Sequence, residues 1–315
     1  GTSVAATTIW RGGGALQEER NTQFPPEDVG IAGGADRSYV DFIGATLELD
    51  PTPATFEQLP YILAAGVKNT TSGSADGAGS GKIYAYPAST TQANTLTTYT
   101  IEGGDDQQEE EMEYAFVESF ELSGKAAEAW MMKAKWRGRQ VAASTKTGSL
   151  SIPSVEEALF QKTSLYIDAV SGTIGTTQKS NTLIGATLSV TTGYQARWTA
   201  DGNLYFSQPV LGIPEVTLDV TFLYDGTATA EKVNWRAGTP RQIRLNTIGS
   251  ALSTSGTSYT NKTVNIDLAG RWISFDKLGE DNGNDVVSGK FRARYNPTAA
   301  LYAKVTVVNE LSSLT

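Results

Sequence analysis

The chain has 315 residues and a formal net charge of −9, with 39% hydrophobic and 19% charged residues. Because proteins that grip nucleic-acid phosphates are basic, this charge argues against tight nucleic-acid binding. The chain contains no Cys and no His, which excludes disulfides, Cys/His zinc sites, cysteine nucleophiles and histidine acid–base catalysis.

The first 37 residues carry little hydrophobic periodicity and are interrupted by glycine and proline, so they predict an N-terminal arm. Ile9 and Trp10 are costly to leave in water. The arm is therefore either a flexible tail or an inter-subunit arm that lies on a neighbouring copy through these two side chains. Beyond it, the 32 glycines and abundant Ser and Thr favour a mainly β protein with many turns. No apolar run reaches the roughly 18 residues that span a bilayer, so we expect no membrane partner.

Residues 44–66 carry the clearest local signals in the chain. The alternating residues 46–50 predict a strand, and two prolines end it. Thr55 and Gln58 have the spacing of a helix-capping box, and Gly66 is a candidate left-handed C-cap. The apolar residues between them fall on one helical face, which makes Phe56, Leu59 and Leu63 the candidate core of a short amphipathic helix.

The next segments predict a loop and a hairpin. Residues 69–81 are rich in Gly and Ser and predict a flexible loop. Residues 97–102 and 113–122 alternate as strands, with an acidic connection between them. Its acids are Asp105, Asp106, Glu109, Glu110 and Glu111. A solvated hairpin end is the first interpretation; a metal site is less expected because adjacent carboxylates in a flexible loop rarely converge, and a negative patch facing a partner or a channel is the third.

Aromatic and basic residues alternate over residues 126–141, which predicts a half-buried strand with a basic outer face. A basic and aromatic mixture can bind single-stranded nucleic acid, but the alternation assigns these aromatics to the core. A Ser/Thr/Gly-rich stretch at 142–153 marks a boundary. Strands return at residues 164–170, 182–191, 194–200 and 216–224.

The strand–helix pattern recurs over residues 216–238. Residues 46–49, TLEL, are echoed by 217–220, TLDV, and both copies end in Ala-Gly. Val233 and Trp235 are the candidate core of the second helix. A further echo joins residues 120–124 to 266–270.

Several matches in the same order indicate an internal duplication. We therefore expect an N-terminal arm over residues 1–37, a first domain over 38–153 and a second, related domain over 154–315. Each domain is expected to be a β-sheet unit with one short helix on the outer face of its own sheet.

Three stretches resemble the tail tube, or major tail, proteins of long non-contractile (siphovirus-type) bacteriophage tails. They are TFEQLPYILAAGV, TYTIEGGDDQQEEEMEYAFVESFELSGKAAEAWMMKAKWRGR and RWISFDKLG…VVSGKFRARYNPTAALYAKVTVVNEL. The likeness runs from about Tyr39 to the end of the chain. It implies a mainly β fold of two tandem, related tail-tube-like β-sandwich or barrel domains, each with a short flanking α-helix.

The resemblance also implies a structural virion protein that is made in the host cytoplasm. Copies would join edge to edge into rings, and rings would stack into a hollow tail tube through which DNA passes without specific binding. Its other partners would be a tape-measure protein and tail-end proteins. Single-domain members form six-fold rings, so a duplicated chain implies a trimeric pseudo-hexamer in preference to a hexamer. The acidic connection is then expected at a ring-to-ring contact in preference to the lumen.

Two other classes of protein remain for comparison. An enzyme without His or Cys would need a carboxylate pair or a Ser/Lys nucleophile, and nothing singles one out among 34 acids; we expect no enzyme, cofactor or metal. The alternative is a carbohydrate-binding or adhesin-type β-sandwich of a surface or virion appendage. It would need an exposed aromatic platform, whereas the strand-borne tryptophans are explained as core; they are Trp130, Trp136, Trp198 and Trp272.

Overall fold

The computed structural model describes residues 3–105 and 107–314, and it confirms a mainly β chain. The strands are β1 (Gly14–Gln23), β2 (Tyr39–Leu49), β3 (Thr52–Pro53), β4 (Ser74–Ala75), β5 (Lys82–Pro87), β6 (Tyr99–Gly104), β7 (Glu109–Lys125), β8 (Met131–Gly138), β9 (Val141–Ala143), β10 (Thr163–Ala169), β11 (Gln178–Lys179), β12 (Leu183–Thr191), β13 (Tyr194–Arg197), β14 (Gln208–Leu211), β15 (Glu215–Leu223), β16 (Arg241–Ala251), β17 (Asn261–Phe275), β18 (Gly279–Asp281), β19 (Asn284–Ala293) and β20 (Ala303–Asn309). The helices are α1 (Leu59–Gly66) and α2 (Gly226–Arg236), with a 3₁₀ turn at Phe160–Lys162.

One antiparallel sheet runs through both halves of the chain. Its strands pair in the order β1, β2, β8, β7, β12, β15, β19 and β17. The pairing crosses from the first half to the second at β7 and β12. The last strand, β20, lies between β17 and β5 and so joins the halves a second time. We call the eight-stranded unit the main sheet.

The strands β7 and β17 are long, and each takes part in two layers. The N-terminal part of β7 pairs with β6 and β9, and that of β17 pairs with β16 and β20. Their C-terminal parts belong to the main sheet. Side chains from both layers enter one buried cluster, which includes Leu47, Phe120, Trp136, Leu188, Leu218 and Phe291 from the main sheet and Tyr86, Ile243, Ile266 and Val307 from the second layer.

The two halves share strand order and register. The order β1, β2, β8, β7, β6 corresponds to β12, β15, β19, β17, β16. Three cross-strand pairs recur: Thr46–Arg137 with Thr217–Arg292, Leu47–Trp136 with Leu218–Phe291, and Glu48–Lys135 with Asp219–Lys290. A register shift also recurs at one place, after Val117 in β7 and after Trp272 in β17.

This register corrects one of the sequence echoes. Phe120 lies opposite Ala134 in β8, and Phe275 lies opposite Gly289 in β19. Phe120 therefore corresponds to Phe275, and the predicted match of residues 120–124 with 266–270 is wrong. The reason is physical: side-chain alternation makes many strand segments look alike, and only the pairing partner decides which positions are equivalent.

The helix α1 begins later than predicted and is buried on almost every side. The backbone N–H of Gln58 donates to Thr55 Oγ1 over 3.1 Å, so the capping contact forms ahead of the helix. Pro60 lies in the first turn, where its missing N–H costs little. The helix packs on β7, β20 and β5 instead of flanking one sheet. Its predicted core is confirmed, since Phe56, Leu59 and Leu63 are fully buried.

The predicted left-handed cap at Gly66 is wrong. Gly66 does not adopt a positive φ, and Val67 provides the C-cap. A Cβ at position 66 would lie 3.1 Å from both Val117 and Thr192, which leaves a methyl group little room. Gly66 therefore matters because it lacks a side chain, which allows α1 to approach β7 closely, and not because glycine can adopt a positive φ.

The helix α2 begins at its N-cap Asp225, whose carboxylate accepts the N–H of Ala228 over 3.0 Å. The predicted burial of Val233 is wrong, because this side chain is 56% exposed. The inner face is formed by residues spaced three or four apart that include Ala228 and Glu231, and Val233 points away from it. Trp235 is half-buried and packs on Phe275, with ring centroids 5.7 Å apart.

Each of the two strand–helix repeats carries one buried glutamate, and the two glutamates match when the repeats are aligned in sequence. Glu57, just before α1, accepts from Lys262 Nζ over 2.7 Å. Glu231, within α2, accepts from Arg241 over 2.9 Å and from the Trp272 indole N–H over 2.9 Å. Both carboxylates are thus compensated by a cation, as burial of a charge requires.

The N-terminal arm contains a strand that the sequence analysis missed. The segment GALQEERNTQ forms β1, and its high charge hid it; charged residues are common on edge strands. Ile9 and Trp10 both contact their own chain and are half-buried there, and their contact with a neighbouring copy stays a prediction. Trp10 packs against the core and the Ile9 carbonyl accepts from Gln58, because β1 begins beside the end of β2, and the residues just before β1 therefore lie close to the start of α1.

The predicted flexible loop at residues 69–81 is held in place. Asp76 is buried and accepts the backbone N–H groups of Ser258 and Tyr259 over 2.9 and 2.7 Å. A short strand, β4, pairs with β5 in the same segment. The low-complexity composition predicted mobility, but one aspartate ties the segment to a distant turn.

Acidification should weaken the loop that follows β10. Asp168 is buried and accepts from the backbone of Gly175 and Thr177 and from Thr176 Oγ1, each over 2.8 Å. Burial raises its pKa, but the hydrogen bonds from Thr177, Thr176 and Gly175 outweigh this and hold the pKa below its usual value. A depressed pKa contributes stability that is present above about pH 4 and is lost as the pH falls through the folded-state pKa.

Replacing Asp168 with Asn should therefore lower the free energy of unfolding at pH 7 by about 1–3 kcal/mol. The difference from the unchanged chain should shrink as the pH falls. Urea denaturation followed by tryptophan fluorescence at a series of pH values measures both effects. Asp36→Asn, at an exposed position, serves as the control. An equal loss for Asp168→Asn at every pH would contradict the prediction.

A polar sheet face and two open sheet edges as the candidate functional site

The main sheet turns one face to the buried cluster and the other face outwards. Strand alternation places Ser, Thr and charged side chains on the outer face, which we call the polar face. Its members include Glu19, Glu48, Ser119, Glu121, Lys133, Lys135, Arg137, Thr187, Ser189, Thr191, Asp219, Thr221, Ser288, Lys290 and Arg292. Most of them are half-buried or exposed.

The charges of the polar face are paired across neighbouring strands. The ion pairs are Lys133–Glu121 (3.1 Å), Lys135–Glu48 (3.8 Å), Arg137–Glu19 (2.5 Å), Arg137–Glu118 (3.1 Å), Lys290–Asp219 (3.7 Å) and Arg292–Glu215 (3.0 Å). The three lysine pairs and Arg292–Glu215 are largely exposed, and exposed pairs add little stability each. Because every cation in this set has a carboxylate beside it, these cations add little free positive charge to the polar face. Burial raises the pKa of Asp219, although Lys290 opposes the shift.

The first open edge belongs to β1. The Asp50 N–H donates to the Gly13 carbonyl over 3.1 Å, so the backbone of Gly13 faces β2. Backbone groups alternate in direction along a strand, so those of Leu16, Glu18 and Arg20 face away from β2. Within residues 3–105 and 107–314, no strand pairs with that side of β1.

The second open edge belongs to the C-terminal part of β17. The pairing of β16 with β17 stops at Gly270, so residues 271–275 pair with β19 on one side only in the described chain. The Asp276 N–H donates to the Ser288 carbonyl over 2.9 Å, so the backbone of Phe275 and Lys277 faces the open side. Ile273 and Leu278 are about half exposed beside this edge, which an isolated soluble chain does not favour.

The hairpin β13–β14 covers part of the first half. Tyr194 and Phe206 form a separate buried cluster with Phe116 of β7, and Arg139 Nε donates to the Phe206 carbonyl over 3.0 Å. The predicted core position of Trp198 is wrong, since this residue follows β13 and is 39% exposed. The other three tryptophans, Trp130 just before β8, Trp136 in β8 and Trp272 in β17, are buried as predicted.

The acidic connection is shorter than predicted. Glu109, Glu110 and Glu111 lie within β7 and pair with β6, so their assignment to a solvated hairpin end is wrong. The Glu109 carboxylate accepts from the Lys146 N–H and that of Glu111 from Ser144 Oγ, over 2.6 and 3.0 Å. Asp105 is exposed and closes the turn by accepting from the N–H groups of residues 107 and 108. Asp106 lies outside the described residues.

Comparison with known protein families and with curated proteins finds no match for this chain. Within the described residues, no cluster of three or more carboxylates has the arrangement of a metal site. The same residues contain no helix that is long and apolar enough to cross a membrane.

Proposed function

We propose that this chain is a structural tail tube protein of a siphovirus-type bacteriophage. Its two halves are tandem, related tail-tube-like units. Copies of the chain join into rings, and the rings stack into a hollow tube through which DNA passes. The observation that carries the proposal is the shared order and register of five strands in the two halves, combined with one open edge at each end of the main sheet.

Open edges favour a closed assembly. A strand edge exposes unpaired N–H and C=O groups, which promote aggregation in a monomer and pairing in an obligate oligomer. An open sheet of related units with a free edge at each end can remove both edges by closing on itself. Three copies would supply six units, so the proposal favours a trimeric pseudo-hexamer over a ring of six copies.

The polar face suits the inner surface of such a tube. It carries hydroxyl side chains and charges that are already paired within the chain. DNA binds where cations are free to replace its counterions. Paired cations on a chain with a net charge of −9 offer few such contacts, so DNA would pass without specific binding. In this proposal the tape-measure protein occupies the lumen during assembly, tail-end proteins cap the tube, and the protein resides in the virion.

Negative-stain electron microscopy and mass photometry of the purified chain test the proposal together. We expect rings or tubes with a central hole, and a ring mass of three chains. A dispersed monomer at all concentrations would overturn the tube proposal. A monomer that also binds a glycan array would favour the adhesin-type alternative.

The acidic turn after β6 is proposed to contribute to ring-to-ring contact. Changing Asp105 to Asn and Glu110 to Gln removes charge while Asn retains the acceptor that closes the turn. We expect shorter or fewer tubes with an unchanged ring mass, measured by electron microscopy and mass photometry. Asp201→Asn is the matched control, because Asp201 closes a similar turn in the β13–β14 hairpin. Tubes of normal length from the double variant would contradict this role.

A further inference from the structure

The joint between β7 and β12 shows how two units of this fold meet. The strands pair antiparallel, with Glu121 opposite Ser189 and Ser119 opposite Thr191. Beyond the paired region, the Thr192 N–H donates to the Glu118 carbonyl over 3.0 Å. Apolar side chains at the joint, which include Phe120, Leu122 and Leu188, are buried. The end of one unit is thereby sealed by the first strand of the next.

Both strands of this joint have a counterpart at an open edge. Leu16 of β1 pairs with Leu47 as Leu188 of β12 pairs with Leu218, so β1 corresponds to β12. The recurring register shift makes the C-terminal part of β17 correspond to that of β7. β1 and the C-terminal part of β17 therefore correspond to the two strands of the β7–β12 joint. Within one chain they lie at opposite ends of the main sheet and do not pair with each other.

We infer that β1 of one copy pairs antiparallel with the C-terminal part of β17 of a second copy, in the register of the β7–β12 joint. Transferring that register places Gln17 opposite Asp276 and Glu19 opposite Ser274 of the neighbouring copy. This inference rests on the proposed ring assembly and specifies its joint.

The backbone directions on both sides fit this pairing. At the internal joint, the Ala126 N–H donates to the Ile184 carbonyl over 2.8 Å, so alternate residues of β12 such as Leu188 face β7. Their counterparts in β1, Leu16 and Glu18, face the open side. On β17, Phe275 faces the open side, as its counterpart Phe120 faces β12. No residue of either edge must rotate to form the new ladder.

The helices do not obstruct this edge. At the internal joint, α1 packs on β7 beside Thr192 while β12 pairs with the edge of β7. Packing of α2 on β17 occupies the corresponding position, with Trp235 against Phe275. A strand can therefore add to β17 beside α2 as β12 adds to β7 beside α1.

The segment between β1 and β2 supplies a second contact of the same joint. It occupies the place in the chain order that the β13–β14 hairpin occupies in the second unit. That hairpin covers the first unit, and Arg139 donates to its carbonyls at Phe206 and Ser207. Because β8 corresponds to β19, the residue that corresponds to Arg139 is Arg294, which directly follows β19 and is exposed. Phe24 and Ile31, both strongly exposed in the segment, are then covered by the neighbouring copy's second unit.

Disulfide trapping tests the register, and the cysteine-free chain makes every thiol an introduced one. Gln17 and Asp276 would form a non-hydrogen-bonded antiparallel pair, whose close Cα atoms suit a disulfide. Gln17→Cys with Asp276→Cys should give, under mild oxidation, a ladder of covalent multimers on non-reducing gels. Gln17→Cys with Glu280→Cys, four residues out of register, should not. Glu121→Cys with Ser189→Cys, the equivalent pair inside one chain, should give an intrachain disulfide and no ladder.

The outcomes separate this inference from the proposed function. Rings in the microscope without the Gln17–Asp276 ladder would overturn the joint and leave the tube proposal standing. A ladder from open chains without rings would support the joint and overturn the ring. Monomers at all concentrations would overturn both. If the double variant does not fold, equal amounts of Gln17→Cys and Asp276→Cys chains are mixed, and a covalent dimer that requires both is expected; its absence from assembled rings overturns the joint.

Discussion

A proline in place of Glu18 is expected to keep the chain folded and monomeric. The backbone N–H of Glu18 faces the open side of β1, so its removal breaks no hydrogen bond to β2. A proline there removes an N–H donor from the proposed ladder between copies, and its ring lies where the incoming strand would pair. Strands that contain proline are found at sheet edges, so β1 would remain an unpaired edge. Assembly should therefore fall by more than about tenfold, the effect of a loss of about 1.4 kcal/mol per joint. Mass photometry and electron microscopy measure the loss of rings, and circular dichroism confirms the retained fold.

The matched control for this experiment is Glu18→Ala. It removes the same carboxylate and its exposed contact with Arg20 but keeps the N–H. Glu18→Ala should assemble like the unchanged chain. Normal rings from Glu18→Pro would show that β1 is not an assembling edge, and loss of rings from both variants would assign the effect to the charge.

Replacing Glu231 with Ala is expected to produce the largest loss of stability. The carboxylate is almost fully buried and accepts from Arg241, Trp272 and Asn234. Its removal leaves the Arg241 guanidinium and the indole N–H without their partner. Breaking one side of a buried ion pair costs about 3–5 kcal/mol, because the remaining charge is uncompensated.

Urea denaturation measures this loss, and it is best done in the Glu18→Pro background so that assembly does not contribute to the free energy of unfolding. Glu215→Ala is the control, since Glu215 pairs with Arg292 over 3.0 Å in an exposed position. We expect the control to cost less than about 1 kcal/mol. A loss for Glu231→Ala no larger than that of the control would show that Arg241 and Trp272 find other partners.

Local signals predicted the elements whose own residues decide them. The strand and helix around residues 44–66, the alternating β8 and the second strand–helix unit all follow from short-range periodicity and punctuation. The predictions failed where a distant partner decides the outcome. Glu109 to Glu111 became strand because β6 lies beside them. Glu231 takes the inner face of α2 because Arg241 and Trp272 donate to it there, and Val233 is left exposed.

The candidate site was the least accessible to sequence reasoning. The acidic connection attracted attention through its composition, whereas the polar face is assembled from single residues of seven strands. The edge strand β1 carries no hydrophobic alternation that could reveal it. A signal did exist for the face itself, in the alternating Lys and Arg residues of β8, but it identified one strand and not its neighbours.

By itself the sequence determined a mainly β chain with a strand–helix unit in each half, because periodicity, caps and turn residues act over a few positions. Only the tertiary structure decided which strands are equivalent, that the two halves share one sheet, and that among the described residues one edge at each end of that sheet stays unpaired. These properties are set by hydrogen bonds between residues far apart in the chain, such as those that join β7 to β12. Strand alternation fits many registers equally well, and packing against the buried cluster selects one of them.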